Sequence, residues 1–242
     1  VLPSCCFAEI EGTFSNTERR EQRVRKAVDA PGQARDDWWI LAEVGTRMGY
    51  PISYGSAEEI FEEIRQVTPS YAGITYARIA HEGLHWPCPT EDHPGTPILH
   101  TAQFTKGKGT FHAIEWIPPA EQPDDEYPLY LTTGRVLYHY HTGTMTMRSE
   151  GLNERVPECF VEVSAADAAA YELADGERVT VSSRRGTIEA RVQISEKTSA
   201  GTIFIPFHFA QAAANRLTNA ALDPISGIPE LKVCAVRLSK AA

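Results

Sequence analysis

The hydrophobic period changes at about Tyr127, and this change constrains the fold more than any other feature. From there on, short runs of β-branched and aromatic residues alternate with polar ones, as over residues 178–183 and 187–194. Arg184-Arg185-Gly186 separates those two runs and is typical of a β-hairpin turn. If that turn faces solvent, Arg184→Ala should change little and can serve as a control substitution. Five or six short strands around one small helix predict a closed β-barrel over residues 126–242.

The N-terminal part has helical patterns instead. Ser15-Asn16-Thr17-Glu18 matches a capping box and predicts a helix over residues 18–28. Apolar side chains at helical spacing predict a second helix over residues 38–48 and a third that begins at Ser56. The inward face of the third helix is predicted to carry Ile60, Phe61, Ile64 and Val67. Such helices need a partner surface, and a sheet is the expected one.

Residues 56–125 continue from that helix into an irregular connection that holds much of the proline and glycine. The acidic, proline-containing stretch 118–125 is the predicted boundary before the barrel. The sequence therefore predicts three parts, which are residues 1–55, 56–125 and 126–242.

Charge and cysteine usage exclude several classes of protein. The 242 residues carry a formal net charge of −9, which argues against nucleic-acid binding. Apolar runs such as residues 203–209 are too short to span a bilayer, so no membrane insertion and a cytoplasmic location are expected. The five cysteines form no CxxC pair and are expected to be scattered, reduced thiols. The chain begins with Val1 rather than Met, which suggests a part of something longer.

A dense group of polar residues follows the first predicted barrel strand. It consists of Thr132-Thr133-Gly134-Arg135 and the run from His139 to Thr146, HYHTGTMT. Backbone N–H groups at a glycine turn, an arginine fork and short hydroxyls can together surround a pyrophosphate. His139 and His141 would share one face of an extended backbone, so a two-histidine metal site is one alternative. No third ligand lies at a recognised spacing, so hydrogen bonds to an organic cofactor are favoured.

These runs resemble the C-terminal cofactor-binding domain of the molybdopterin-dinucleotide oxidoreductases. The TGR…HYHTGTMT form is most similar to the alpha subunit of molybdenum- or tungsten-dependent formate dehydrogenase. The pattern PFHF…AAANRLTNAALDP…PELKVCAVR over residues 206–237 extends the resemblance. It implies an α+β chain, in which the end of an α/β domain precedes a closed, double-psi-like barrel that binds molybdopterin dinucleotide.

The resemblance also implies a set of cofactor contacts. Phe207 would pack on a pterin, Asn215 would supply a planar donor–acceptor pair, and Lys232 would offset negative charge. The alternatives without a cofactor contact are that Arg135 and Lys232 are solvated and that Phe207 belongs to the core. For Asn16, Arg19 and Arg20, a place beside the cofactor and a capped, solvated helix are equally weighted. The predicted cofactor-binding residues are Thr133, Gly134, Arg135, Val136, His139, His141, Thr142, Gly143, Thr144, Met145, Phe207, His208, Asn215 and Lys232.

The implied cofactor is bis-molybdopterin guanine dinucleotide with Mo or W, shared with a region outside this chain, and iron–sulfur clusters would lie elsewhere in the complex. The implied reaction is the reversible oxidation of formate to CO2, with no catalytic or metal-ligating residue in this chain. The expected partners are the remainder of the catalytic subunit and an iron–sulfur electron-transfer subunit. The alternatives are a nitrate reductase-like enzyme and a stand-alone module that binds a pterin dinucleotide.

Overall fold

The computed structural model describes residues 2–241. The chain forms two compact units, Val1–His112 and Ala113–Ala242. The domain boundaries that the sequence predicts at residues 55 and 125 remain predictions. Within residues 2–241, no helix is both long and apolar enough to cross a membrane.

The first unit begins with a β-hairpin, so the helix predicted over residues 18–28 is wrong. Strands β1 (Gly12–Ser15) and β2 (Arg20–Val24) pair antiparallel, and β2 also pairs with the short β3 (Leu84–His85). The Asn16 side chain accepts the backbone N–H groups of Glu18 and Arg20, each at 3.0 Å. This Asx-type turn uses the same residues as a capping box, because both satisfy free N–H groups at a chain reversal.

The other two predicted helices are present as α1 (Asp37–Arg47) and α2 (Ala57–Val67). The Ser56 hydroxyl caps α2 by accepting the Glu59 N–H. Phe61 is buried with Ile74, Tyr76, Ile79 and Cys88 in the core of this unit. Ile64 and Val67 are 38% and 72% exposed, so the predicted inward face of α2 is correct only in part.

The second unit is a closed six-stranded barrel, as the sequence predicts. The barrel order is β4-β8-β5-β7-β6-β9, with parallel pairs β4–β8 and β5–β7 and antiparallel pairs elsewhere. The strands are β4 (Leu129–Gly134), β5 (Phe160–Val163), β6 (Arg178–Ser182), β7 (Thr187–Ile194), β8 (Thr202–Pro206) and β9 (Cys234–Lys240). Two short helices, α3 (Glu150–Asn153) and α4 (Ala165–Ala170), join them.

Alternate residues of the strands fill the barrel. The interior side chains include Val161, Val163, Val179, Val181, Ile203 and Ile205, all fully buried. At the start of α4, the Ser164 hydroxyl accepts the Asp167 N–H, and the Asp167 carboxylate accepts the Gly201 N–H. The helix is thereby held against the start of β8.

The β6–β7 hairpin turn is anchored rather than free in solvent. Arg184 pairs with Glu121 and Asp124, and its guanidinium lies 4.6 Å from the ring centroid of Tyr127. Arg185 pairs with Glu121 and donates to the Leu217 carbonyl. Arg184 is therefore not a neutral control position.

Candidate functional site

Gly134 is the last residue of β4, and the structure gives it a different role from the predicted turn glycine. Its partner across β4–β8 is Pro206, and its carbonyl accepts the Phe207 N–H at 3.1 Å. A Cβ at this position would lie 2.6 Å from a ring atom of Phe204. Glycine is needed here because the Phe204 ring approaches the backbone closely. The left-handed conformations come later, at His141 and Gly143, with φ of 49° and 73°.

Arg135 follows Gly134 at the barrel surface and lines a cleft of about 620 Å³. Its guanidinium lies 5.9 Å from the Phe207 ring centroid, and within residues 2–241 it has no hydrogen-bond or ion-pair partner. The cleft is also lined by Val136, Arg155, Lys197, Glu162, Phe160 and Phe204. Three cations against one carboxylate make this cleft suitable for an anion.

His139 is 5% exposed, and both of its ring nitrogens bond within the chain. Nδ1 lies 3.1 Å from the Thr146 hydroxyl, and Nε2 lies 3.0 Å from the Val156 carbonyl oxygen. His141 is exposed on the following turn. The prediction that His139 and His141 share one face is therefore wrong, because the backbone turns between them. Within residues 2–241, no three or more His, Cys, Asp and Glu side chains are grouped to hold a metal ion.

The loop after His139 displays the predicted hydroxyls at the surface. Thr142, Thr144 and Met145 are exposed, and the two threonine hydroxyls lie 2.9 Å apart. The Gly143 N–H donates to the Tyr140 carbonyl. Four neighbouring predicted residues, His141, Thr142, Thr144 and Met145, thus present their side chains together.

His208 lies beneath this loop and is 4% exposed. Its ring centroid is 4.7 Å from that of His139 and 4.0 Å from that of Phe209. Burial, reinforced by the proximity of His139, lowers the pKa of His208 to about 4. The ring is therefore neutral near pH 7. Its Nε2 atom is buried and has no hydrogen-bond partner within residues 2–241.

Lys232 reaches the same strand end from a distant part of the sequence. Its ammonium donates to the Thr133 carbonyl at 3.0 Å, and the Thr133 hydroxyl donates to the Leu231 carbonyl at 2.7 Å. The structure thus joins the TGR run, the Phe207 region and Lys232 at the end of β4. Asn215 is exposed in the short 3-10 helix Ala214–Arg216.

The three predicted residues of the first unit have structural partners there. Asn16 shapes the hairpin turn, and Arg20 pairs with Glu18 at 2.7 Å. Arg19 adopts a φ of 69° and donates to the carbonyl oxygens of Trp86, Thr96 and Pro97. These contacts favour a structural role, although in a hairpin rather than on a helix.

Arg155 and Lys197 are the cleft residues that the sequence did not reveal. Arg155 follows α3, and Lys197 follows β7. Neither lies in a recognisable motif, and they line one cleft with Arg135 because the barrel closes. A pattern of local spacing could not have identified them.

The donor set fits an anionic, heterocyclic cofactor. Arg135, Arg155 and Lys197 can offset phosphate charge, and the Thr142 and Thr144 hydroxyls are short, exposed donors. The unpartnered Nε2 of His208 is a buried polar atom of the kind that normally finds a hydrogen bond. These residues are predicted to supply binding groups, and the molybdopterin cofactor that the resemblance implies would supply the redox chemistry.

Comparison with known proteins agrees with this geometry. Residues 129–235 match the Molydopterin dinucleotide binding domain, and residues 1–47 match the Molybdopterin oxidoreductase family. The F420-dependent formate dehydrogenase subunit alpha of Methanocaldococcus jannaschii is 49% identical over 99% of this chain and 36% of its own length. The assimilatory nitrate reductase catalytic subunit of Bacillus subtilis is 41% identical over 98% of this chain and 35% of its own length.

Acetylene hydratase from Pelobacter acetylenicus shares the fold, with a TM-score of 0.70 at 17% identity. The match covers 100% of this chain and 38% of the hydratase. The chain spans about a third of the length of the relatives that it matches. It belongs to the molybdopterin oxidoreductase family, and its six-stranded barrel is the molybdopterin dinucleotide-binding domain.

Proposed function

We propose that this chain is the C-terminal part of a formate dehydrogenase catalytic subunit. The parent enzyme oxidises formate to CO2 reversibly at a bis-molybdopterin guanine dinucleotide centre with Mo or W. The observation that carries the proposal is the arrangement at the end of β4: Arg135 lines a cationic cleft with its guanidinium 5.9 Å from the Phe207 ring centroid, and Lys232 bonds the Thr133 carbonyl.

Each side chain has a specific role in this proposal. Arg135 forms a charge-assisted hydrogen bond to a cofactor phosphate, because its fork is exposed in the cleft and uncommitted within residues 2–241. Phe207 offers a ring face to the pterin. Lys232 contributes positive charge while its ammonium is held by the Thr133 carbonyl. The exposed His141, Thr142 and Thr144 side chains and Asn215 donate to the polar edges of the cofactor.

The choice of formate over nitrate rests on similarity. The M. jannaschii formate dehydrogenase subunit is 49% identical to this chain, and the B. subtilis nitrate reductase subunit is 41% identical. A nitrate reductase-like activity is therefore the second candidate. The relative is F420-dependent by name, so F420 is the first electron acceptor to assay.

The remaining partners in this proposal are those that the resemblance to formate dehydrogenase alpha subunits implies. The remainder of the catalytic subunit would complete the cofactor site, and an iron–sulfur subunit would carry the electrons away. The five free thiols are compatible with a cytoplasmic, reducing location.

The test uses the native protein that contains this chain. It is purified after growth with molybdate or tungstate, its intact mass is measured, and formate- and nitrate-dependent dye turnover are assayed. We expect a mass well above that of this chain and turnover with formate. Turnover with nitrate alone would favour the second candidate. A mass equal to that of this chain would contradict the proposal.

A further inference from the structure

Both ring nitrogens of His139 form hydrogen bonds within the chain. The Val156 carbonyl can only accept a hydrogen bond, so the ring nitrogen that faces it, Nε2, is a protonated donor. Nδ1 then accepts the hydrogen of the Thr146 hydroxyl, 3.1 Å away. No polar atom of this ring remains for a cofactor, although the sequence predicts His139 as a direct contact.

The Thr146 hydroxyl ties the two ends of the displayed loop together. Besides donating to His139, it accepts the backbone N–H of Tyr140 at 3.2 Å. The exposed His141, Thr142, Thr144 and Met145 lie between Tyr140 and Thr146. The Thr146 hydroxyl therefore holds the two ends of residues 141–145 together. Loss of this hydroxyl contact would free both ends of the loop.

Aromatic rings form the floor under the loop. The His139 ring lies against His208, and His208 lies against Phe209 at the end of β8. At Gly143, an added Cβ would lie 2.9 Å from the Met147 sulfur and 3.4 Å from Cδ2 of His208. The loop backbone at Gly143 thus lies close to the His208 ring and the Met147 side chain.

The hydrogen bond from His139 Nε2 to the Val156 carbonyl also links His139 to the cationic cleft. Val156 lines that cleft together with its neighbour Arg155, and Arg135 lies in the same cleft. His139 therefore connects the loop that displays hydroxyls with the segment that carries the Arg155 guanidinium.

We propose that His139 is a positioning residue for the cofactor rather than a ligand of it. It holds residues 140–146 and residues 155–156 in the arrangement that the cofactor meets. The proposal rests on the proposed function, because it assumes that this loop faces the molybdopterin dinucleotide.

The test compares two replacements of His139. His139→Phe keeps a ring beside His208 but removes both hydrogen bonds. His139→Gln keeps a donor for the Val156 carbonyl and an acceptor for the Thr146 hydroxyl. Thr146→Val removes the hydroxyl at nearly constant shape, and it tests the same contact if His139→Phe does not fold.

The first readout is amide hydrogen exchange in the full chain, without cofactor. Two lost hydrogen bonds of about 1 kcal/mol each correspond to roughly 30-fold. We expect exchange over residues 140–147 to accelerate by about 10- to 100-fold in His139→Phe, with β6 and β7 unchanged and His139→Gln close to wild type. Unchanged exchange over residues 140–147 in His139→Phe would overturn the proposal.

The second readout is pterin content of the full-length subunit. We expect His139→Phe to lose pterin and His139→Gln to recover most of it. His141→Ala supplies the contrast: it should lower pterin content while loop exchange stays as in wild type. If His139→Phe loosens the loop and retains wild-type pterin, the positioning role is overturned. Wild-type subunit without pterin would instead refute the proposed function, and the exchange data would still decide whether His139 shapes the loop.

Discussion

The buried rings of His139 and His208 lie 4.7 Å apart, centroid to centroid, at the point where the loop after β4 meets the end of β8. Both nitrogens of His139 are satisfied, while Nε2 of His208 is buried and unpartnered within residues 2–241. A proton on His208 would place a charge beside a second imidazole and away from water. The burial of His208, with His139 beside it, therefore makes the barrel unit sensitive to acid.

This sensitivity has a defined sign and pH window. The pKa of His208 is lowered to about 4, chiefly by burial, from an ordinary value near 6.5. Well above pH 6.5 the residue is neutral in both states, so it has no effect on stability. As the pH falls from 6.5 towards 4, the unfolded chain binds a proton that the folded chain resists, and the free energy of unfolding decreases.

We expect His208 to account for a loss of about 1–2 kcal/mol between pH 7 and pH 5. Urea unfolding of the barrel unit at both pH values, in wild type and His208→Gln, measures this share. The variant should lose less stability on acidification than wild type. Equal losses would show that His208 is not held neutral by the fold.

Glu121 should contribute more to stability than Glu158, a more exposed carboxylate that also pairs with two arginines. The Glu121 carboxylate, 13% exposed, pairs with Arg184 and Arg185. Burial alone would raise the pKa of Glu121, but hydrogen bonds from Arg185 and Arg184 lower it below the ordinary value. We expect Glu121→Ala to reduce the free energy of unfolding by about 1–3 kcal/mol, since it removes the carboxylate that pairs with Arg185 and leaves Arg184 with Asp124 alone.

Glu158 is the matched control for that variant. It also bridges two arginines, Arg178 and Arg191, but its side chain is 40% exposed. Exposed ion pairs contribute about 0–1 kcal/mol, so Glu158→Ala should change stability little. Equal effects of the two variants in urea unfolding would contradict the role given to Glu121.

The cysteines should separate into two reactivity classes. Cys88, Cys159 and Cys234 are buried, and burial raises the pKa of Cys159 to about 12 and that of Cys234 to about 11. Cys6 is exposed and Cys5 partly so. Because the thiolate is the reactive form, a disulfide reagent at pH 8 should label Cys5 and Cys6 first and the others only after unfolding. Rapid native-state labelling of Cys159 would contradict the burial of β5.

A fragment of residues 1–55 should not fold by itself. Its hairpin strand β2 pairs with β3 at Leu84–His85, and Arg19 is anchored by carbonyl groups of residues 86–97. Without those partners, β1 and β2 form an isolated two-stranded hairpin, which is marginal in water. A cooperative thermal transition of this fragment would contradict the account, whereas residues 113–242 should show one.

The barrel could be predicted from the sequence because its signals are local. Alternation over residues 178–194 and the Arg184-Arg185-Gly186 turn define a hairpin, and Ser164 marks the start of α4. The helix predicted over residues 18–28 is wrong, because an Asx turn and a capping box draw on the same polar residues.

The arrangement of the site depends on contacts between distant residues. His139 and His208 are 69 positions apart, and Lys232 bonds a carbonyl 99 positions earlier. Residue spacing places His139 next to His141, but the turn between them buries one and exposes the other. Such pairings appear only when the strand order of the barrel is known.

The central claim is that this barrel holds the molybdopterin dinucleotide, and Arg135 offers the most direct test. A charge-assisted hydrogen bond contributes about 1.5–3 kcal/mol, or roughly ten- to more than hundred-fold in affinity. Arg135→Ala removes this hydrogen bond, and Arg135→Lys keeps the charge but not the fork, so Arg135→Lys should recover only part of the affinity that Arg135→Ala loses. Arg178→Ala is the control, since Arg178 is an exposed strand residue whose surface partner is Glu158.

The deciding measurement is the pterin and metal content per folded full-length subunit for wild type and these three variants. The account predicts near-complete occupancy in wild type and Arg178→Ala, intermediate occupancy in Arg135→Lys, and a marked loss in Arg135→Ala. Equal occupancy in wild type and Arg135→Ala would contradict it.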